Sequence, residues 1–312
     1  MKPNYDVMAI ADLCIDILVS GPSKPEFGQV ELLAGDYTMS LGGSVGIFAS
    51  QVAKLGGKVA LIGTTGDDAA GKIIMEELLN AGVDTSFVAI LPDRKTAMGL
   101  NISVNGDRAM LAYLGSMDFI GQYELQEIYT RLSSHWHIGS FFLLHNLIPS
   151  WREWIRKLKK QGVTVSLDTN WSPSGKWYDV IELLPEVDVF LPNDAEALAI
   201  SGETDIISAG KKLSMICQLV VIKCGAQGSM VFVKGVCDSY PIASALLTNL
   251  IIKDTTGAGD NFDAGFIYYW MKGFDIKTCI EEATHCAVSS LQSLGGIAGQ
   301  VMQSNKNLAP VL

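Results

Sequence analysis

Apolar and polar positions along this 312-residue chain switch repeatedly between a two-residue and a helical period. Tyr5 to Val19 reads as a strand of small and β-branched residues, and in an extended chain Asp12, Cys14 and Asp16 share one face. Gly21 to Ser40, which carries Pro22 and Pro25, reads as a loop and strand excursion. Leu41 to Ala49 leads into a helix over Ser50 to Leu55 that stops at Gly56-Gly57. Lys58 to Gly63 reads as a strand and Gly71 to Asn80 as a helix closed by Gly82. Ala97 to Val104 and Arg108 to Leu114 are short alternating runs joined by Asn105-Gly106-Asp107, which spells a hairpin. Strands follow near Trp136 to Ile138, Val163 to Asp168, Val187 to Leu191 and Leu219 to Lys223. Helices read over Ser150 to Gln161, Trp177 to Leu184, Asp194 to Ser201 and Ser208 to Met215. A β-rich stretch from Ser229 to Ile252 precedes two last helices, the second over Ile276 to Leu294.

This rhythm predicts an α/β fold with a mostly parallel sheet and helices on both faces, since each crossover must bury its apolar stripe. The hairpin and the Gly28 to Met39 excursion interrupt it. They predict a small accessory sheet, a lid drawn from about residues 13–40 and 93–116. With no repeat or low-complexity linker, a single domain over residues 1–312 is expected.

Composition narrows the picture. With 48% hydrophobic and 18% charged residues the chain reads as soluble and globular. A formal charge of −10 argues against nucleic acid as a partner, which needs clustered Lys and Arg. The apolar runs are too short for a bilayer, and Asp12 and Asp16 break the N-terminal one, so neither a membrane nor a secretory leader is expected. Six cysteines without a C-x-x-C pair fit reduced thiols and a cytoplasmic location.

The chemistry concentrates in Asp254-Thr255-Thr256-Gly257-Ala258-Gly259-Asp260, which runs into an apolar helical stretch. A glycine loop opening a helix offers unpaired N–H groups and the positive end of the helix dipole, a site for an anion. One reading is a loop that holds a transferring phosphoryl group while Asp260 takes the acceptor's proton; the other is a turn with Asp260 as a cap. Gly66 to Ile73 nearly spells a P-loop but places Ile where Ser or Thr should bind magnesium, and its two acids would repel phosphate, so it is set aside. His135 and His137 lack a third ligand and read as structural. Polar or glycine-rich groups sit after five predicted strands: Asp16, Asp168 with Asn170, Asn193 with Glu196, Lys223 to Gly228, and Asp254 to Asp260. Ligands of open parallel sheets bind at such strand ends. Asn193 and Glu196 also spell a capping box, and Lys223 to Gly228 is either a plain turn or a nucleotide loop.

Taken in order, Gly42-Gly43 with Ala49, Gly66 to Gly71, Asn193 to Glu196, Gly225 to Gly228 and Asp254 to Gly265 resemble the ribokinase-like sugar kinases, the phosphofructokinase B family, over nearly the whole chain. The resemblance implies a three-layer α/β/α sandwich with a small β-sheet lid, and an ATP-dependent carbohydrate kinase using Mg2+. It implies Asp260 as catalytic base and Gly257, Ala258 and Gly259 with Asp260 as an anion hole. Asn193 and Glu196 would serve magnesium through water, Lys223, Gly225 and Gly228 the nucleotide, and His285 the adenine. Asp16, Gly42 and Gly43 would meet the sugar, and a homodimer paired through the lid is expected. The resemblance leaves room for K+ near Asp254 and the Ser289 to Gly299 region. One position departs: Ile47 stands where the family has a sugar-binding Asn, and an isoleucine cannot bond a hydroxyl. A less polar acceptor, a nucleoside, or a lapsed sugar or nucleotide sensor are the readings this leaves open.

Overall fold

The computed structural model describes residues 3–21, 24, 26–104 and 107–303. Its first half runs β1 (Tyr5–Ile10), β2 (Cys14–Ser20), β3 (Asp36–Gly42), α1 (Ser44–Lys54), β4 (Val59–Gly66), α2 (Ala69–Ala81), β5 (Asp84–Leu91), β6 (Ala97–Val104), β7 (Asp107–Tyr113) and β8 (Ser133–Ile138). The second runs α3 (Ile148–Lys160), β9 (Thr164–Leu167), α4 (Tyr178–Leu183), β10 (Val189–Phe190), α5 (Asp194–Ser201), α6 (Ile206–Leu213), β11 (Leu219–Lys223), β12 (Ser229–Val233) and β13 (Val236–Tyr240). Three helices follow: α7 (Ser244–Leu247), α8 (Ala258–Met271) and α9 (Ile276–Ser290).

Nine strands form one sheet in the order β13-β12-β11-β10-β9-β8-β1-β4-β5. It is parallel from β5 to β11 and antiparallel at β12 and β13. All eight residues of β4 are buried, as a strand covered on both faces requires. Two apolar cores lie on those faces. One gathers Trp136, Trp151 and Trp154 under α3 to α6, and the other gathers Phe48, Phe262 and Phe266 under α1, α2, α8 and α9. The chain is therefore a three-layer α/β/α sandwich. A second sheet, β3-β2-β6-β7, supplies the predicted accessory layer. The Asn105-Gly106 turn lies outside the described residues, but the strands flanking it pair antiparallel.

Four local readings need correcting. The Tyr5 to Val19 strand is two strands in different sheets, so Asp16 lies on the small sheet and not at the end of a central strand. Helix α1 begins at Ser44, well before Ser50, because the Asp12 carboxylate accepts from the amides of Ser44 and Val45, both at 3.0 Å. The stretch from Ser229 to Ile252 ends in a short helix and irregular chain, so the 254–260 loop does not follow a strand. The last helix stops at Ser290, four residues short of Leu294.

Candidate active site

The glycine loop is built by its own sequence and fastened from three sides. Gly257 caps α8 with φ of 74°, a left-handed conformation that favours glycine. A Cβ there would also lie 2.8 Å from the Gly296 Cα and 3.1 Å from Ile47. Asp254 accepts from the Thr256 amide and hydroxyl through one oxygen and from the Gly295 amide through the other. Asn261 donates to the carbonyls of Gly257 and Gly296, and Gln300 donates to Asn261 and to the Ile47 carbonyl. The first turn of α8 is thereby held against α1, with its leading N–H groups at the loop.

The loop divides two cavities. One, of about 350 Å³, lies under the small sheet and is lined by Gly257 and Asp260 together with Asp12, Asp16, Gly43, Ser44 and Ile47. The other, of about 360 Å³, is lined by Ala258 and Gly259 together with Lys223, Gly225, Gly228 and apolar residues of α9 such as Ala287, Val288 and Leu291. Thr255 borders both. The two cavities therefore adjoin along Thr255 to Asp260.

In the first cavity, glycines make room for carboxylates. A Cβ on Gly42 would come 2.3 Å from the Asp16 carboxyl carbon, and one on Gly99 would come 2.5 Å from its Oδ1. Gly42 clears space for Asp16 without lining the cavity itself, whereas Gly43, with φ of 84°, lines it and passes close to the Asp12 backbone. Asp12 accepts from the Ser140 hydroxyl as well as from the start of α1. Asn170 donates to the Ser44 hydroxyl at 2.8 Å and accepts from the Ser140 amide at 3.1 Å. Ser140 and Asn170 both take positive φ, 52° and 56°, so backbone strain gathers at this rim. Ile47 lines the cavity while packing beside Gly257 and Gly296.

Beneath the loop lies a knot of buried charge. Lys223 Nζ is 3.1 Å from Asp168 and 2.9 Å from Asp263, all three largely inaccessible. Burial opposes its charge, but Asp168, Asp263 and Glu196 hold Lys223 above its ordinary range. Burial, with Asp168 alongside, pushes Asp263 well above the carboxylate range despite Lys223. Asp260 is pushed up to about 7, first by burial and then by Asp168, with Lys223 and Ser44 acting the other way. Its side chain is half-buried and opens into the first cavity, so the shift reflects the dense protein around it and not complete enclosure.

Asn193 and Glu196 form both hydrogen bonds of a capping box on α5, at 2.8 and 2.9 Å. Burial and then Asp168 raise Glu196 to about 7, so this carboxylate favours a cation that could relieve both. Among the described residues no cluster of three or more His, Cys, Asp or Glu could cage a metal.

The structure thus gathers Asp16, Gly43, Ile47, Gly257 and Asp260 at one cavity, and Lys223, Gly225, Gly228, Ala258 and Gly259 at the other. His285 lies on α9 outside the described lining of the second, which Thr284 and Ala287 face. Asn101, on β6, also lines the first cavity and carried no signal in the sequence. Asp263 carried none either, because its partners Lys223 and Asp168 are remote in sequence.

A family model described as pfkB family carbohydrate kinase matches residues 5–302. The ATP-dependent ribose-1-phosphate kinase of Halopiger xanaduensis is 31% identical over 249 residues, covering 78% of this chain and 78% of that protein. Adenosine kinase from Sinorhizobium meliloti superposes with a TM-score of 0.81 at 24% identity, covering 94% of this chain and 96% of that one. A protein assigned as ribokinase II from E. coli, solved with ATP and Mg2+, superposes with a TM-score of 0.83 at 22% identity, covering 95% and 96%.

Proposed function

The chain belongs to the pfkB family of carbohydrate kinases, and on that premise we propose that it transfers the γ-phosphoryl group of ATP to a primary hydroxyl of a small carbohydrate or nucleoside. The observation that carries this reading is the single loop between two cavities, with Asp260 facing one and Gly259 the other. In this reading the acceptor occupies the cavity under the small sheet, where Asp16 accepts hydrogen bonds from its hydroxyls. The nucleotide occupies the cavity lined by Gly225, Gly228 and α9, whose apolar wall suits a base.

Asp260 takes the proton of the attacking hydroxyl. An ordinary Asp, with a pKa of about 3.9, is a poor base near neutrality; a carboxylate raised to about 7 is better matched. The amides from Gly257 to Asp260 hold charge on the moving phosphoryl group, and positioning supplies most of the acceleration. Mg2+, when bound, would neutralise phosphate charge, with Glu196, Asn193 and Asp168 as the groups to orient it or its waters. The E. coli neighbour holding ATP and Mg2+ supports that pairing. Asp254, whose two oxygens staple the loop, lends no separate support to K+.

A cytoplasmic homodimer paired through the small sheet belongs to the same proposal. Exposed Tyr37, Met39, Leu111 and Tyr113 on its strands and six free cysteines support it. Among the described residues no helix is long and apolar enough to cross a membrane. The test is acceptor-dependent ADP release with Mg-ATP, followed by phosphorus NMR for a new phosphate monoester. Ligand binding without turnover would favour the lapsed sensor, and ADP release without an ester would mean transfer to water and contradict the carbohydrate acceptor.

A further inference from the structure

Ser140 and Asn170, the two non-glycine residues with left-handed backbones at the rim of the first cavity, belong to one chain of hydrogen bonds. The Asn170 Oδ1 accepts from the Ser140 amide at 3.1 Å. A backbone N–H can only donate, so the oxygen of the Asn170 amide must lie on that side. Its Nδ2 is thereby turned to the Ser44 hydroxyl, 2.8 Å away. Ser44 Oγ must accept there, which leaves its single proton for its other neighbour, and that neighbour is the Asp260 carboxylate. Both residues line the same cavity.

Ser44 is fixed from its backbone as well. Its amide donates to Asp12 at 3.0 Å, the next amide along α1 donates to the same carboxylate, and so does the Ser140 hydroxyl. The hydroxyl that meets Asp260 is therefore set by groups from three separate loops, the residues after β1, β8 and β9. Strained residues persist where the surroundings hold them and mark functional sites, and this strained pair ends its chain of bonds on the base of the kinase reading.

We propose that Ser44, held by Asn170, is a positioning residue that fixes one oxygen of the Asp260 carboxylate and directs the other to the acceptor. The inference rests on the kinase reading and deepens it. The proton of the attacking hydroxyl passes to that second oxygen as the new oxygen–phosphorus bond forms and the bond to ADP breaks. A hydroxyl donated to a carboxylate also favours its charged form, the form that can take a proton.

The test compares the parent protein with Ser44→Ala, Ser44→Thr and Asn170→Gly, the last keeping the left-handed backbone without its side chain. ADP release with Mg-ATP is followed from pH 5 to 9 with the fastest acceptor among ribose, fructose, xylitol and adenosine. Asp12, Asp168 and Lys223, the other charged groups that act on Asp260, are present in every variant. In Ser44→Ala kcat should fall about 10-fold or more, Mg-ATP affinity should stay within a few-fold, and the acid limb of kcat/KM should move to higher pH. Asn170→Gly should move the limb in the same direction, and Ser44→Thr, which keeps the hydroxyl, should restore it. An unmoved limb in both Ser44→Ala and Asn170→Gly overturns the proposal while leaving the kinase reading intact. So does a loss that Ser44→Thr shares in full, since the hydroxyl would then not be its cause. No turnover by the parent protein with any acceptor removes the kinase reading, and this inference falls with it.

Discussion

Gly257 and Gly259 look alike in the sequence but answer to different constraints. At Gly257 the positive φ and the approach of Gly296 and Ile47 exclude a side chain in the protein alone. At Gly259 an added Cβ would sit 3.6 Å from Lys223 Nζ, an ordinary contact, so the protein alone tolerates it. Gly257→Ala should therefore lower folding stability by about 1–3 kcal/mol in urea denaturation. Gly259→Ala should leave the unfolding midpoint unchanged while kcat falls about 100-fold, because the methyl group intrudes where the proposed mechanism holds the phosphoryl group. Normal turnover in Gly259→Ala would remove the loop from the phosphate site. Asp260 adds a pH test. Its folded pKa of about 7 lies above the ordinary 3.8, so the stability it contributes is fully present below about 4 and is lost as pH rises through 7. Asp260→Asn, which cannot charge, should be more stable than the parent protein at pH 8, and the gain should shrink at pH 5. An equal difference at both values would contradict the raised pKa.

Among the elements, what the sequence made legible was whatever the local pattern decides. The alternation of strands and helices was readable because both faces of the large sheet are covered, and the hairpin strands of the small sheet were readable by their alternation. Elements decided by remote partners were not. The start of α1 depends on Asp12, 32 positions from Ser44, and Gly43 and Gly46 hide it locally. The change of sheet at Asp12 is invisible because the apolar run continues through it. The charged knot under the loop joins Lys223 to Asp168 and Asp263, 55 and 40 positions away, so only its strand-end members could be suspected. The P-loop look-alike shows a legible exclusion: Asp68 accepts from Gly71, Thr96 N and the Thr96 hydroxyl, filling the start of α2 with its own carboxylate. Asp12→Ala tests the corresponding role at α1. It leaves the Ser44 and Val45 amides and the Ser140 hydroxyl without that acceptor, and should cost about 1–3 kcal/mol in urea denaturation. An unchanged midpoint would show that α1 starts without its remote cap.

At the scale of the whole molecule, two cores pinned to opposite faces of one sheet fix the strand ends, and α8 brings its N-terminus to them. The small sheet lines one cavity only, so on the proposed assignment its closure would shield the acceptor from water while the other cavity stays bordered by α9. The partition of chemistry follows from that layout: acids and hydroxyl ligands on one side, glycines and apolar surface on the other, and a shared helix end between them. If the two sides are separate binding sites joined only through Asp260, removing its charge should stop transfer and spare nucleotide binding. The most direct measurement compares Asp260→Asn with the parent protein by turnover and by calorimetric titration with Mg-ATP. The account predicts a kcat lower by about 100-fold or more with nucleotide affinity within a few-fold. Near-normal turnover in Asp260→Asn would contradict it.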